Sequence, residues 1–135
     1  MSFTSGYATC AGREIHYTDW GQPQRGTVIA WHGLARTGRD MDELAEHLAG
    51  QGWRVVCPDT LGRGFSEWAS NPADEYCLAF YARLARELID QLGIDRLHWV
   101  GTSMGGVTVN YSPENRVGSR YVEVTVIGST GKLLK

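Results

Sequence analysis

The sequence predicts an α/β domain in three layers, a parallel-rich sheet with helices on its faces. Three observations carry that expectation. Short apolar runs at Thr27–Trp31, Trp53–Cys57 and Leu97–Val100 lack alternation, as strands covered on both faces do. The segments between them place apolar residues at helical spacing. Each run then stops at a turn signal: His32-Gly33, Pro58-Asp59 and Gly101.

The elements follow in order. Tyr7 to Trp20 reads as a pair of short strands with a turn at Gly12 and Arg13, closed by Gly21-Gln22-Pro23. After the first buried run, a helix is expected over about Arg39 to Ala49. Met41, Leu44, Ala45, Leu48 and Ala49 share one of its faces, and Gly50 and Gly52 end it. A longer helix is expected over about Asp74 to Leu92, with a stripe of Tyr81, Leu84, Ala85, Leu88, Ile89 and Leu92 and a cap at Gly93. Strands alternating with helices imply parallel pairing. Chemistry in such sheets collects at the carboxyl ends of the strands, which here are His32-Gly33, Asp59 and Ser103.

Length and composition narrow the function classes. With 135 residues the chain is expected to form one domain, 1–135, in which 107–135 is a divergent tail. A formal charge of −2 with no basic stripe argues against nucleic acid and anionic membrane partners. No apolar stretch approaches the ~18 residues of a membrane span, and Met1 to Gly12 lacks the pattern of a signal peptide. The expected compartment is the cytoplasm. Cys10, Cys57 and Cys77 are odd in number and widely spaced, so they read as reduced, mostly apolar residues rather than a zinc or redox site.

Three motifs carry chemistry. Gly101-Thr102-Ser103-Met104-Gly105 is a G-x-S-x-G directly after a strand. Such a turn is tight enough to strain the serine backbone, needs Gly101 and Gly105 where a Cβ would collide, and holds the Ser103 hydroxyl clear of the sheet. The alternative is a glycine-rich turn with an incidental serine. His32-Gly33-Leu34 ends an earlier strand, and there the amide of Leu34, with that of Met104, can supply two oxyanion donors. That logic uses the backbone, so the His32 ring is read as a buried imidazole satisfied by the loop. Asp59-Thr60-Leu61-Gly62-Arg63-Gly64-Phe65-Ser66 is a loop that Asp59 pins through its side chain. Neither G-x-x-x-x-G-K-[ST] nor G-x-G-x-x-G occurs, which disfavours nucleotide binding.

Over about Tyr7 to Gly106 these motifs, in this order, resemble the α/β-hydrolase superfamily, most of all its small bacterial esterases, lactonases and carbon–carbon bond hydrolases. The resemblance implies a serine nucleophile at Ser103, an oxyanion hole at the Leu34 and Met104 amides, a small ester-like substrate and no metal or organic cofactor. His32, Gly33, Asp59, Gly101 and Gly105 would support that site.

The sequence departs from the family after the elbow. Family members place the acid and the histidine beyond it, whereas the residues after Gly106 contain neither histidine nor aspartate. His16, His32, His47 and His98 all precede Ser103. Val107 to Tyr111 is β-branched and a poor helix former, Ser112 to Asn115 suits a turn, and Tyr121 to Ile127 alternates like a strand. The expectation is a truncated hydrolase scaffold, weakly active or inactive, with an exposed edge that favours self-association. A non-catalytic binding or remnant protein is the competing reading. Redox or lyase chemistry on the same scaffold also stays open, because fold does not fix function.

Overall fold

The structure, a computed structural model, describes residues 2–106 throughout, and beyond them the strands at 121–127 and 133–134. The elements are β1 (Phe3–Cys10), β2 (Arg13–Trp20), β3 (Gly26–Trp31), a 3₁₀ turn (Gly38–Met41), α1 (Asp42–Gly50), β4 (Trp53–Pro58), α2 (Pro72–Glu75), α3 (Leu78–Gln91), β5 (Arg96–Thr102), β6 (Tyr121–Ile127) and β7 (Leu133–Leu134). The strands form one sheet in the order β1-β2-β4-β3-β5-β6-β7. β4, β3, β5 and β6 run parallel, while β1, β2 and β7 join antiparallel.

The three layers follow from strand parity. On β3, Ile29 and Trp31 face a core shared with Tyr81, Leu84, Ala85, Leu88 and Ile89 of α3. Val28 and Ala30 face the other way, into a core with Met41, Ala45 and Ala49. Both expected apolar stripes therefore lie on the sheet, one on each face, and hydrophobic burial fixes the helices there. Trp31 and Trp99 stack on the α3 side, with ring centroids 5.3 Å apart and planes 12° from parallel. Each buried indole N–H finds an acceptor, Thr60 Oγ1 for Trp31 and the Gly105 carbonyl for Trp99, both at 2.8 Å.

Three boundaries differ from the sequence reading. The hairpin turn sits at Ala11 and Gly12, not Gly12 and Arg13, and both residues take positive φ, 51° and 75°. A type I′ two-residue hairpin loop has positive φ at both central positions, and the full β1–β2 register from Phe3↔Trp20 to Cys10↔Arg13 leaves only those two outside the ladder. The first helix opens as the 3₁₀ turn and becomes α-helical only at Asp42. The expected single helix over Asp74 to Leu92 is two, broken at Tyr76 and Cys77, where Cys77 is extended.

Tertiary contacts win over helix propensity at that break. The Glu75 carboxylate accepts from the Ser70 and Asn71 amides and from Arg13 on β2. The Tyr76 hydroxyl accepts from the Ala69 amide, and its ring lies where a side chain on Gly62 would stand. At its other end α3 closes in a Schellman motif, Gly93 N–H to Asp90 and Ile94 N–H to Ile89, with Gly93 at φ 66°.

Tyr121–Ile127 is a strand, parallel to β5 and paired with its whole length. The sequence expectations for Val107 to Tyr111 and Ser112 to Asn115 lie outside the described residues.

Strand order places the candidate site. From β3 the chain crosses to β4 on one side, and from β4 it crosses back to β5 on the other side of β3. The carboxyl ends of β3 and β5 therefore lie side by side where the strand order reverses, the usual ligand position in an open α/β sheet.

Candidate active site

β5 delivers Ser103. The strand ends at Thr102, a helical turn begins at Met104, and Ser103 between them has φ 53°. Positive φ is uncommon for a residue bearing a Cβ and is retained only where the surroundings over-determine it. Here they do. A Cβ on Gly101 would lie 2.2 Å from the Gly106 nitrogen, and one on Gly105 would lie 2.2 Å from the Trp31 carbonyl oxygen. The turn closes with the Gly106 N–H donating to the Ser103 carbonyl at 3.0 Å. Met104 leans on the α3-side core.

β3 delivers the facing loop. A Cβ on Gly33 would stand 4.0 Å from the Ser103 Cβ, so the His32-Gly33-Leu34 backbone passes directly beside the serine. Leu34 is exposed. The Arg63 Nε donates to its carbonyl at 3.0 Å, and the Gly33 carbonyl accepts from the Arg36 amide at 3.3 Å.

His32 is fully buried. Its Nδ1 lies 2.7 Å from the Gly33 carbonyl and its Nε2 2.9 Å from the Thr60 amide nitrogen. A carbonyl only accepts and an amide N–H only donates, so Nδ1 carries the proton and Nε2 accepts. Burial, the dominant influence, pushes the His32 pKa down and holds the ring neutral. Nδ1 is thus spent within the β3 loop and Nε2 on holding that loop to the β4 loop, leaving neither for the Ser103 hydroxyl.

Asp59 organises the loop after β4. Its Oδ1 accepts from the Gly38 amide at 2.7 Å, and its Oδ2 accepts from the Phe65 amide at 3.0 Å. His16 Nδ1 approaches Oδ2 at 2.8 Å. A Cβ on Gly64 would fall 2.3 Å from that carboxylate, so the loop folds around Asp59 only with glycine there. The Ser66 hydroxyl donates to the Asp59 carbonyl and accepts from the His16 amide.

Sequence reasoning gave His16 no role, and no local pattern announces a partner 43 positions away. The pair resembles a catalytic His–Asp unit but is remote from Ser103. β2 and β5 are three strand spacings apart in the sheet order, about 14 Å at the usual separation. His98 sits mid-strand opposite Val28, with its ring against Trp53 at the other end of the sheet. His47 lies in the last turn of α1.

Cys10 and Cys57 are buried, and burial is the largest influence raising each thiol to a pKa of about 12, so neither is a ready nucleophile. Among the described residues no three His, Cys, Asp or Glu side chains are grouped to hold a metal ion. No helix among them is long and apolar enough to cross a membrane.

A parallel-centred sheet, a strained serine after β5 and a glycine loop beside it define a class. The chain belongs to the alpha/beta hydrolase fold family, whose model matches residues 26–118. It is 46% identical over 92 residues to the 3-hydroxybutyrate-oligomer hydrolase of Cupriavidus necator, across 67% of this chain and 31% of that protein. It is 35% identical over 99 residues to the 2-hydroxy-6-oxononadienedioate/2-hydroxy-6-oxononatrienedioate hydrolase of Escherichia coli K12, across 68% of this chain and 32% of that protein. A solved alpha/beta hydrolase from Novosphingobium aromaticivorans superposes with a TM-score of 0.76 at 33% identity, covering 89% of this chain and 43% of that one. The chain thus spans about a third of the length of the curated relatives it matches.

Proposed function

We propose that the chain forms a single domain that presents the nucleophile and oxyanion hole of a serine hydrolase for small esters. Ser103 Oγ attacks the acyl carbon, the carbonyl oxygen takes the charge, and the amides of Leu34 and Met104 receive it. Collapse expels the alcohol and leaves an acyl-Ser103 that water then hydrolyses. The observation that carries this reading is the positive φ of Ser103 beside the Gly33 backbone. Strain of that kind costs about 1–3 kcal/mol and concentrates at functional positions.

A serine hydroxyl is a weak nucleophile without a base. No histidine follows Ser103, and the His32 ring is committed elsewhere. Loss of the histidine from a working triad costs about a million-fold in turnover, against a residual ~10³–10⁴ over water from binding and the oxyanion hole. This chain by itself is therefore expected to turn over activated esters at least about a thousand-fold more slowly than a relative with all three residues. The name of the Cupriavidus relative points to hydroxyacid esters as a substrate class. A second reading, a binding protein that keeps the fold and lacks turnover, is favoured by the commitment of both His32 nitrogens to the Gly33 carbonyl and the Thr60 amide.

Fluorophosphonate labelling and p-nitrophenyl acetate turnover, each with Ser103→Ala as control, separate the two. Stoichiometric labelling that disappears in Ser103→Ala supports a live nucleophile. Labelling that persists in that variant removes the site assignment. Full-strength turnover lost in Ser103→Ala would refute the expectation of a crippled enzyme.

A further inference from the structure

Five of the arginines are matched by carboxylates: Arg13 by Glu75, Arg36 by Asp40, Arg39 by Asp42, Arg54 by Asp19 and Arg83 by Glu87. Arg63 is held differently. Its Nε donates to the Leu34 carbonyl at 3.0 Å, and its Nη1 donates to the Leu61 carbonyl at 2.9 Å and the Tyr81 hydroxyl at 2.8 Å. The guanidinium lies 5.7 Å from the ring centre of Tyr76 and 5.5 Å from that of Tyr81. Every one of these partners is neutral. The second amino group, Nη2, has no hydrogen-bond partner among the described residues.

Arg63 is half-buried, so its charge is partly stripped of water, and among the described residues no carboxylate pairs with it. Charges in such places are ordinarily paired. A guanidinium fixed through three hydrogen bonds and two ring faces is also pre-organised, which lowers the entropy lost when it binds a ligand. Its position gives that ligand an address. The Leu34 carbonyl it grips is about 3 Å from the amide nitrogen of the same residue. The Arg63 Nε is thus no more than about 6–7 Å from the candidate oxyanion donor, a reach of at most about six covalent bonds. Leu34, Phe65 and Tyr76, all exposed, supply apolar surface in the same loops.

We propose that Arg63, through Nη2, is a carboxylate-binding residue of the Ser103 site, and that the substrate is an ester carrying a carboxylate within about six bonds of its reacting carbonyl. A hydroxyacid ester with a free terminal acid has that arrangement. The assignment rests on the reading of Ser103 and Leu34 as the reacting centre.

The test uses the full chain labelled with ¹⁵N, with 3-hydroxybutyrate as the probe and methyl 3-hydroxybutyrate as its neutral match. The Arg63 Nε–H resonance should shift saturably with the acid and not with the methyl ester. Arg63→Lys should weaken binding about tenfold by losing the planar fork, and Arg63→Gln should abolish it. Equal response to acid and ester, or undiminished binding of the acid by folded Arg63→Gln, overturns the proposal. If Arg63→Gln fails to fold, the acid–ester comparison on the wild type decides alone. Fluorophosphonate labelling reports separately on the nucleophile. Labelled Ser103 without acid preference removes the anion site and keeps the hydrolase reading, whereas acid binding at Arg63 without labelling does the reverse.

Discussion

The substitution Gly105→Ala puts the elbow under direct test. A Cβ there would stand 2.2 Å from the Trp31 carbonyl oxygen, 2.7 Å from its carbon and 2.8 Å from the His32 oxygen. All three atoms are backbone, at the end of the central strand β3, so no side chain can rotate away. Restoring ordinary contact at 3.4 Å requires a relative movement of about 1.2 Å between β3 and the turn. Overpacking of this kind costs about 1–3 kcal/mol. The movement also displaces the Gly105 carbonyl, the acceptor of the buried Trp99 indole at 2.8 Å. A buried donor left unmatched costs a further ~1–3 kcal/mol. The sum is about 2–6 kcal/mol, a large share of the ~5–15 kcal/mol a domain has in total. Gly93→Ala is the control. Gly93 has φ 66° but nothing within 4 Å of its added Cβ, so only left-handed strain of about 1–2 kcal/mol applies. Urea denaturation of both variants supplies the difference. Values for the two within about 0.5 kcal/mol of each other, at unchanged m, would refute the packing argument. A Gly105→Ala chain that does not fold lies at the upper end of the same expectation.

Two further outcomes follow from the geometry. Ser103→Gly removes a Cβ from a residue at φ 53° and should raise stability by about 1 kcal/mol while ending fluorophosphonate labelling; a destabilised variant in the same urea titration would show that the serine is not strained. His32 is held neutral with its pKa below the ordinary 6.5, so the unfolded chain binds a proton that the folded chain refuses. Stability present above that pH should be lost as pH falls from about 6.5 to the folded-state pKa, at up to about 1.4 kcal/mol per unit for this proton. Stability curves that are flat in that window for the wild type, or equally sloped in His32→Gln, would remove His32 as the cause.

Local pattern was enough for the central elements. Val28 to Trp31 is apolar at every position because β3 has a core on each side, and that is legible without a structure. The stripe from Tyr81 to Ile89 was legible because all its members face one core. The break at Tyr76 and Cys77 was not, because it depends on Arg13 and Gly62, both remote in sequence. The glycines of the elbow could be assigned by a steric argument, and the distances around Gly101 and Gly105 express the same argument in ångströms. His16 and Arg63 carry no such signature. Each owes its place to hydrogen bonds across loops, His16 to Asp59 and Arg63 to Leu34 and Tyr81, which spacing along the chain does not encode.

The position of β5 beside β3 has a consequence in time. β3 pairs with β4 through the nearby α1, but Val28 must wait for His98, seventy positions later, before the strand carrying Ser103 can join it. Closing so long a loop is opposed by chain entropy, and contacts of that range form slowly. The approach of Gly33 to Ser103 therefore does not exist in any partly folded chain that lacks the β3–β5 ladder, however complete its other half is. A reagent that reads the serine reads the finished centre of the sheet, and the rate at which labelling competence appears during refolding measures the joining of the two halves.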